Sequence, residues 1–244
     1  MKQIALVTGA SRGIGRATAF GLARAGYHVV LNYNNSHDAA CAALEEMKNE
    51  GLSGEIIRAD VANSAAVDQM MQAVLGAHGR LDVLINNAAI SSQMLFTDIT
   101  DAHWKELMDV NINGVFYCCR AALPAMISQK AGAIVNLSSV WGMTGASCEV
   151  HYCAAKAALI GLTKALAKEV GPSGIRVNCV APGVIDTDMN RGFSKEDLEE
   201  LREVTPLGRI GTPEEVASAV VFLAGDSASF LTGQVISPNG GFLI

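Results

Sequence analysis

Ile4-Ala5-Leu6-Val7-Thr8-Gly9-Ala10-Ser11-Arg12-Gly13-Ile14-Gly15 joins a short apolar run to a glycine-rich turn, and a helical pattern follows over residues 14–25. An apolar run of this length bounded by glycines reads as a buried strand, and the pattern after it reads as the helix that strand feeds. Gly9, Gly13 and Gly15 let the backbone turn tightly and approach a pyrophosphate, while free N–H groups at the helix start supply the positive end of a dipole. The spacing is Gly-x-x-x-Gly-x-Gly, not the Gly-x-Gly-x-x-Gly of the usual dinucleotide fingerprint. A purely structural turn can leave the same glycines, but a position directly after the first strand favours a phosphate cradle.

Working outward, short apolar runs at residues 4–7, 27–31, 55–59, 81–85, 133–137 and 175–180 alternate with helix-length patterns at 14–25, 37–50, 65–78, 102–128 and 152–170. Several of the short runs are apolar throughout, as strands of a parallel sheet covered on both faces must be. Repetition of strand, helix and strand predicts an α/β fold with right-handed crossovers: a single Rossmann-like, doubly wound parallel sheet of about seven strands with helices on both faces. The chain has 244 residues, half of them hydrophobic, and no Pro/Gly/Ser-rich linker, so one domain over residues 1–244 is expected. Residues 189–211 are more charged and turn-rich than their surroundings and follow the sixth run, so they read either as a lid over the carboxyl ends of the strands or as an ordinary surface helix.

A net charge of -6 with dispersed Lys and Arg supplies no basic field, which excludes nucleic acid as an expected partner. The first ten residues enter a strand and glycines, not a secretory leader, and no apolar stretch is long enough to span a bilayer; a cytoplasmic location is expected and no membrane partner. Cys41, Cys118, Cys119, Cys148, Cys153 and Cys179 form no Cys-x-x-Cys pair and no paired Cys/His spacing, so they read as buried free thiols and no metal site is expected.

At the end of the second run a carboxylate would hold the adenosine ribose hydroxyls of NAD and repel the phosphate of NADP. Here that position is Asn32-Tyr33-Asn34-Asn35-Ser36, with no acid before Asp38, and Arg12 in the turn offers a positive charge. NADP(H) is the expected cofactor, although Arg12 on a purely solvent-facing surface would look the same. Asp60-Val61 after the third run and Asn86-Asn87-Ala88-Ala89 after the fourth supply polar and backbone groups for the adenine and ribose. Asp60 is equally legible as a helix-capping acid.

Tyr152 and Lys156 lie four apart in a helical pattern and share a face; Ser139 follows the fifth run, and Asn111 lies in the pattern beginning near residue 101. Hydride arriving at a carbonyl carbon leaves an alkoxide that needs a proton, and a phenol held beside it can donate one. A phenol titrates near ~10, so nearby positive charge from Lys156 and a nicotinamide ring would bring it into range. Ser139 can hydrogen-bond the substrate oxygen, and Asn111 can hold a water linking Lys156 to solvent. Two helix-surface residues would give the same Tyr-x-x-x-Lys spacing.

In order and properly spaced, Thr8 to Gly15, Asn86 to Ala89, Asn111, Ser139, Tyr152, Lys156 and Pro182-Gly183 resemble the short-chain dehydrogenase/reductase family across essentially the whole chain. The resemblance implies that Asn111, Ser139, Tyr152 and Lys156 form a catalytic tetrad. It implies cofactor contacts at Gly9, Ser11, Arg12, Ile14, Asp60, Val61, Asn87, Tyr152, Lys156 and residues 184–187, Val184, Ile185 and Thr187 among them; Gly13, Gly15, Asn32, Ala88, Ala89, Pro182 and Gly183, in the glycine turn and strand-end loops, complete the expected cofactor site. Ala89 stands where the family usually has glycine, and its methyl is expected to tighten the loop without abolishing binding. Residues 180–189, 206–234 and 239–244 are similar to the β-ketoacyl-acyl-carrier-protein reductases, a resemblance that implies a 3-oxoacyl-carrier substrate and a homotetramer built on patterns 102–128 and 152–170 and the C-terminal segment. Of the two basic carrier-docking positions of that group, Lys130 stays basic and the other is Ser173.

Residues 141–151 look more like a relative that reduces a 5-aminopentanone group on elongation factor P. A hydroxysteroid or polyol dehydrogenase shares the scaffold, and a nucleotide-binding regulator without turnover is the reading outside enzymology, although it would have no use for Ser139, Tyr152 and Lys156. Glu149 reads either as a solvated loop acid or as a carboxylate that selects a ketone bearing a cationic amine. His151 is expected to serve structure or an interface, because a third of a turn separates it from Tyr152.

Overall fold

The computed structural model of the chain describes residues 2–190 and 194–244. The strands are β1 (Ile4–Val7), β2 (His28–Tyr33), β3 (Gly54–Arg58), β4 (Val83–Asn86), β5 (Gly132–Leu137), β6 (Ile175–Val180) and β7 (Val235–Ile236). The helices are α1 (Gly13–Arg24), α2 (His37–Asn49), α3 (Ser64–His78), α4 (Asp101–Met108), α5 (Gly114–Gln129), the single turn α6 (Trp141–Thr144), α7 (Val150–Val170), α8 (Lys195–Glu203) and α9 (Pro213–Ala224). All seven strands pair in parallel in the order β3-β2-β1-β4-β5-β6-β7. The order reverses between β1 and β4, and in an open α/β sheet such a reversal opens a crevice at the carboxyl ends of the strands.

Two apolar layers hold this sheet. On one face Val7, Val29, Leu31 and Val135 pack against Phe20 and Leu22 of α1, Met47 of α2 and Val220 and Leu223 of α9. On the other, Leu6, Val30, Leu84 and Ile134 meet Met70 and Val74 of α3, Cys118 and Met126 of α5 and Leu159 of α7. Alternate residues of one strand thus serve opposite layers, which is why the short runs are apolar throughout. Each fully buried Leu, Ile or Val contributes about 1.5–3 kcal/mol relative to exposure.

Two expectations are corrected. Residues 102–128 are not one regular helix, because a π-helical turn at Asp109–Asn113 separates α4 from α5. Strand β7 has two residues and carries no periodicity that a sequence could reveal. Of the six thiols, Cys118, Cys119 and Cys179 are buried, whereas Cys41, Cys148 and Cys153 are only partly so; all six are free. Residues 191–193 of the charged segment lie outside the described residues, and its described remainder includes α8, begun by a Ser194/Asp197 capping box. No helix among the described residues is long and apolar enough to cross a membrane.

Candidate active site

The glycine-rich turn is fastened to the ends of its neighbouring strands. Thr8 Oγ accepts from the backbone N–H of Asn87 and Ala88 (2.9 and 3.0 Å), and Asn87 Nδ2 donates to the carbonyls of Thr8 and Gly9 (2.9 and 3.1 Å). Gly9 has φ +62°, and a Cβ there would stand 2.9 Å from the Ala88 Cα; one at Gly15 would stand 2.4 Å from both Asn87 Nδ2 and the Gly9 carbonyl oxygen. These two glycines are therefore demanded by backbone conformation and close approach. Helix α1 starts behind them with no side-chain cap on its first N–H groups. An uncapped helix start beneath a close-packed glycine turn fits the diphosphate of a dinucleotide.

Asn32 braces the turn from below. It is buried, its Oδ1 accepts from Gly9 N–H (3.3 Å), and its Nδ2 donates to the Ala59 carbonyl (3.0 Å). Its side chain is therefore committed within the protein. Arg12 is mostly exposed and pairs with Asp188 beyond β6 at 3.5 Å. Beside the exposed residues 34 and 35 stands a cation the sequence reading missed: Arg58 Nε donates to the Asn34 carbonyl (3.1 Å). Asp60 is not the helix cap. Its Oδ1 accepts from Ala62 N–H (3.0 Å), and Asn63 caps α3. Val61 is buried against Gly114, Thr187 packs near Gly13, and Gly183 passes close to the Asn239 backbone. Gly211 N–H donates to the Val184 carbonyl (3.0 Å), and Ile185 bridges to Gly211. The Pro182 carbonyl accepts from Val140 N–H (2.9 Å), tying the residues after β6 to those after β5.

Ser139, Tyr152 and Lys156 converge at the carboxyl edge. Tyr152 is buried in the first turns of α7 and hydrogen-bonds with Ser139. Lys156 Nζ lies 5.5 Å from the centre of the Tyr152 ring and donates to the Leu137 carbonyl (2.8 Å). Burial pushes the phenol well above its ordinary value, the Glu149 carboxylate adds to that, and the Ser139 hydrogen bond opposes it. Burial likewise lowers the Lys156 ammonium to about 8. Loss of hydration outweighs the Ser139 hydrogen bond, so the phenol is raised and held protonated.

Asn111 lies in the π-helical turn, and both polar atoms of its amide are engaged by one residue of the neighbouring loop: Oδ1 accepts from Ile90 N–H and Nδ2 donates to the Ile90 carbonyl, both at 2.9 Å. Glu149 is not a solvated loop acid. It is 6% exposed, Gln93 Nε2 donates to it at 3.4 Å, and burial raises its carboxyl above the usual range. His151 points to Ser92 Oγ (2.8 Å) and is buried. Residues 90–94, which lack periodicity or a motif, thus contact Asn111, Glu149 and His151 from one side, and Met94 N–H donates to the Cys148 carbonyl (2.9 Å).

A family described as enoyl-(acyl carrier protein) reductase matches residues 9–243. The chain is 45% identical over 241 residues to the 3-oxoacyl-[acyl-carrier-protein] reductase FabG of Staphylococcus aureus (strain Mu50), covering 99% of this chain and 98% of that protein. It is 44% identical over 243 residues to the 3-oxoacyl-[acyl-carrier-protein] reductase of Synechocystis, covering 99% and 97%. A crystal structure of a protein assigned as a gluconate dehydrogenase, from Agrobacterium tumefaciens, superposes with a TM-score of 0.95 at 32% identity, covering 98% of this chain and 95% of that one.

Proposed function

Because the chain belongs to the short-chain dehydrogenase/reductase family, whose members are nicotinamide-dependent oxidoreductases, we propose that it reduces a carbonyl to a secondary alcohol with NADPH, acting on 3-oxoacyl thioesters of a carrier protein. The observation that carries the reading is the convergence of Ser139, Tyr152 and Lys156 beside the glycine turn. A bound nicotinamide supplies the hydride. Ser139 donates a hydrogen bond to the carbonyl oxygen, polarising it, and Tyr152 gives that oxygen its proton. Lys156 orients the nicotinamide ribose and returns charge to the phenol's surroundings. The test is NADPH oxidation with acetoacetyl thioesters, diketones, aminoketones and ketosteroids; no turnover of the thioesters would overturn the assignment.

The preference for NADPH rests on Arg12, on Arg58 beside residues 34 and 35, and on the absence of an acid in residues 32–36. Arg12→Ala is expected to shrink the NADPH to NADH ratio of kcat/KM by about 10–100-fold, the value of a hydrogen bond to a charged group. An unchanged ratio removes Arg12 from that role. Phe116 and Ile127 on α5, with Phe230 and Ile244, expose apolar surface, which supports a homotetramer.

A second reading, a ketone bearing a protonated amine, rests on the position of Glu149, whose carboxylate lies near enough to Tyr152 to raise its phenol. Glu149→Gln keeps the shape and removes the charge, so it is expected to lower kcat/KM for an aminoketone by about 10-fold or more while sparing a neutral ketone of equal length. Equal changes for both substrates would leave the thioester reading alone.

A further inference from the structure

We propose a divalent transition-metal site, of the kind zinc occupies, formed by His28, Glu55 and His78 at the amino-terminal edge of the sheet, the end away from Tyr152. Nothing in the spacing of these residues announces it, because each comes from a different element. His28 opens β2, and Glu55 lies in β3 opposite Val30. Side chains alternate along a strand, so His28 shares the face of Val30 and Glu55. That face is covered by α3, whose last residue is His78.

One ligand atom from each of the three lies within 4.8 Å of the other two. His78 Nε2 meets Glu55 Oε1 at 2.9 Å, and the imidazole centres of His28 and His78 are 4.8 Å apart. His28 Nδ1 lies 2.7 Å from Ser53 Oγ. With Nδ1–H donating to that hydroxyl, Nε2 carries the lone pair, and Nε2 is buried without a hydrogen-bond partner. A buried ring nitrogen left unsatisfied is costly, and a hydroxyl that fixes the tautomer from the outer side is how ligating histidines are held. Two imidazoles and one carboxylate make a zinc donor set with a fourth position for water. Tetrahedral bonds of about 2.0–2.2 Å place ligand atoms roughly 3.4 Å apart, so the 2.9 Å His78–Glu55 pair must open slightly while the farther atoms draw closer. Glu55 and His78 are partly exposed and can close by rotamer change. Such an ion would clip β2, β3 and α3 together without entering the hydride chemistry.

The experiment uses the full chain stripped with a chelator and then titrated with zinc chloride, followed by calorimetry and thermal unfolding. One zinc per chain is expected, with Tm raised by roughly 5–10 °C at a hundredfold excess over Kd. The double variant Glu55→Gln/His78→Ala should lose both binding and shift while keeping the zinc-free rate of NADPH oxidation. Cobalt in the wild type should give visible d–d bands without a thiolate charge-transfer band. No saturable zinc binding, an undiminished shift in the double variant, or a thiolate band placing the ion on cysteines would each overturn the proposal.

Discussion

Replacing Tyr152 by Phe is expected to cut kcat by roughly 10²–10⁴-fold, the contribution of a positioned acid–base group, or about 3–5 kcal/mol of barrier. The phenol is buried and held protonated, so it suits a donor of protons in the reductive direction. Removing only its oxygen leaves the ring packed against Ala155 and Leu107 and costs the Ser139 hydroxyl one hydrogen bond, about 1 kcal/mol of stability. The variant should therefore fold and bind NADPH as the wild type does, which fluorescence titration of the cofactor would check. Near-normal turnover would remove Tyr152 from the mechanism.

Lys156→Ala is expected to damage two steps together, lowering kcat at least 100-fold and weakening cofactor affinity, because in the proposed mechanism one ammonium serves both the ribose and the phenol. Unchanged affinity would refute the first of those duties. The same side chain predicts a pH response of defined sign. Its folded value of about 8 lies below the ordinary 10.5, so between these values the unfolded chain binds more protons and stability rises with pH. A Lys156→Met variant lacks that rise, and comparing the two by denaturant unfolding at pH 7 and pH 9.5 checks it. Reductive turnover moves the other way, since the charge on Lys156 is present below about pH 8 and lost above it.

The fold was legible because its signals are local. The residues of β1 and β6 were bounded correctly from apolar runs alone, whereas β7, two residues long, gave no pattern and exists only because β6 offers it a partner. The helix spanning residues 102–128 was misread as regular because composition does not register a π-helical turn, although Asn111 sits in it. Within the candidate site, the sequence supplied the glycines, Ser139, Tyr152 and Lys156 through motif and spacing. It did not supply Gln93 or Arg58, which lie in segments without periodicity or motif and acquire meaning from Glu149 and Asn34.

By itself, then, the sequence determined the parallel doubly wound sheet, the glycine-rich turn after β1, and the Tyr152/Lys156 pair on one helix face. Each follows from backbone conformation, strand alternation or helical period, which act over a few residues. Tertiary structure alone decided that Asn32 is a brace, that Arg12 meets Asp188, that Glu149 is buried beside the phenol, and that His28, Glu55 and His78 share one corner. Those outcomes depend on which distant segments exclude water from a side chain. Desolvation and long-range pairing set the charge and accessibility of a group, and neither is written in its neighbours along the chain.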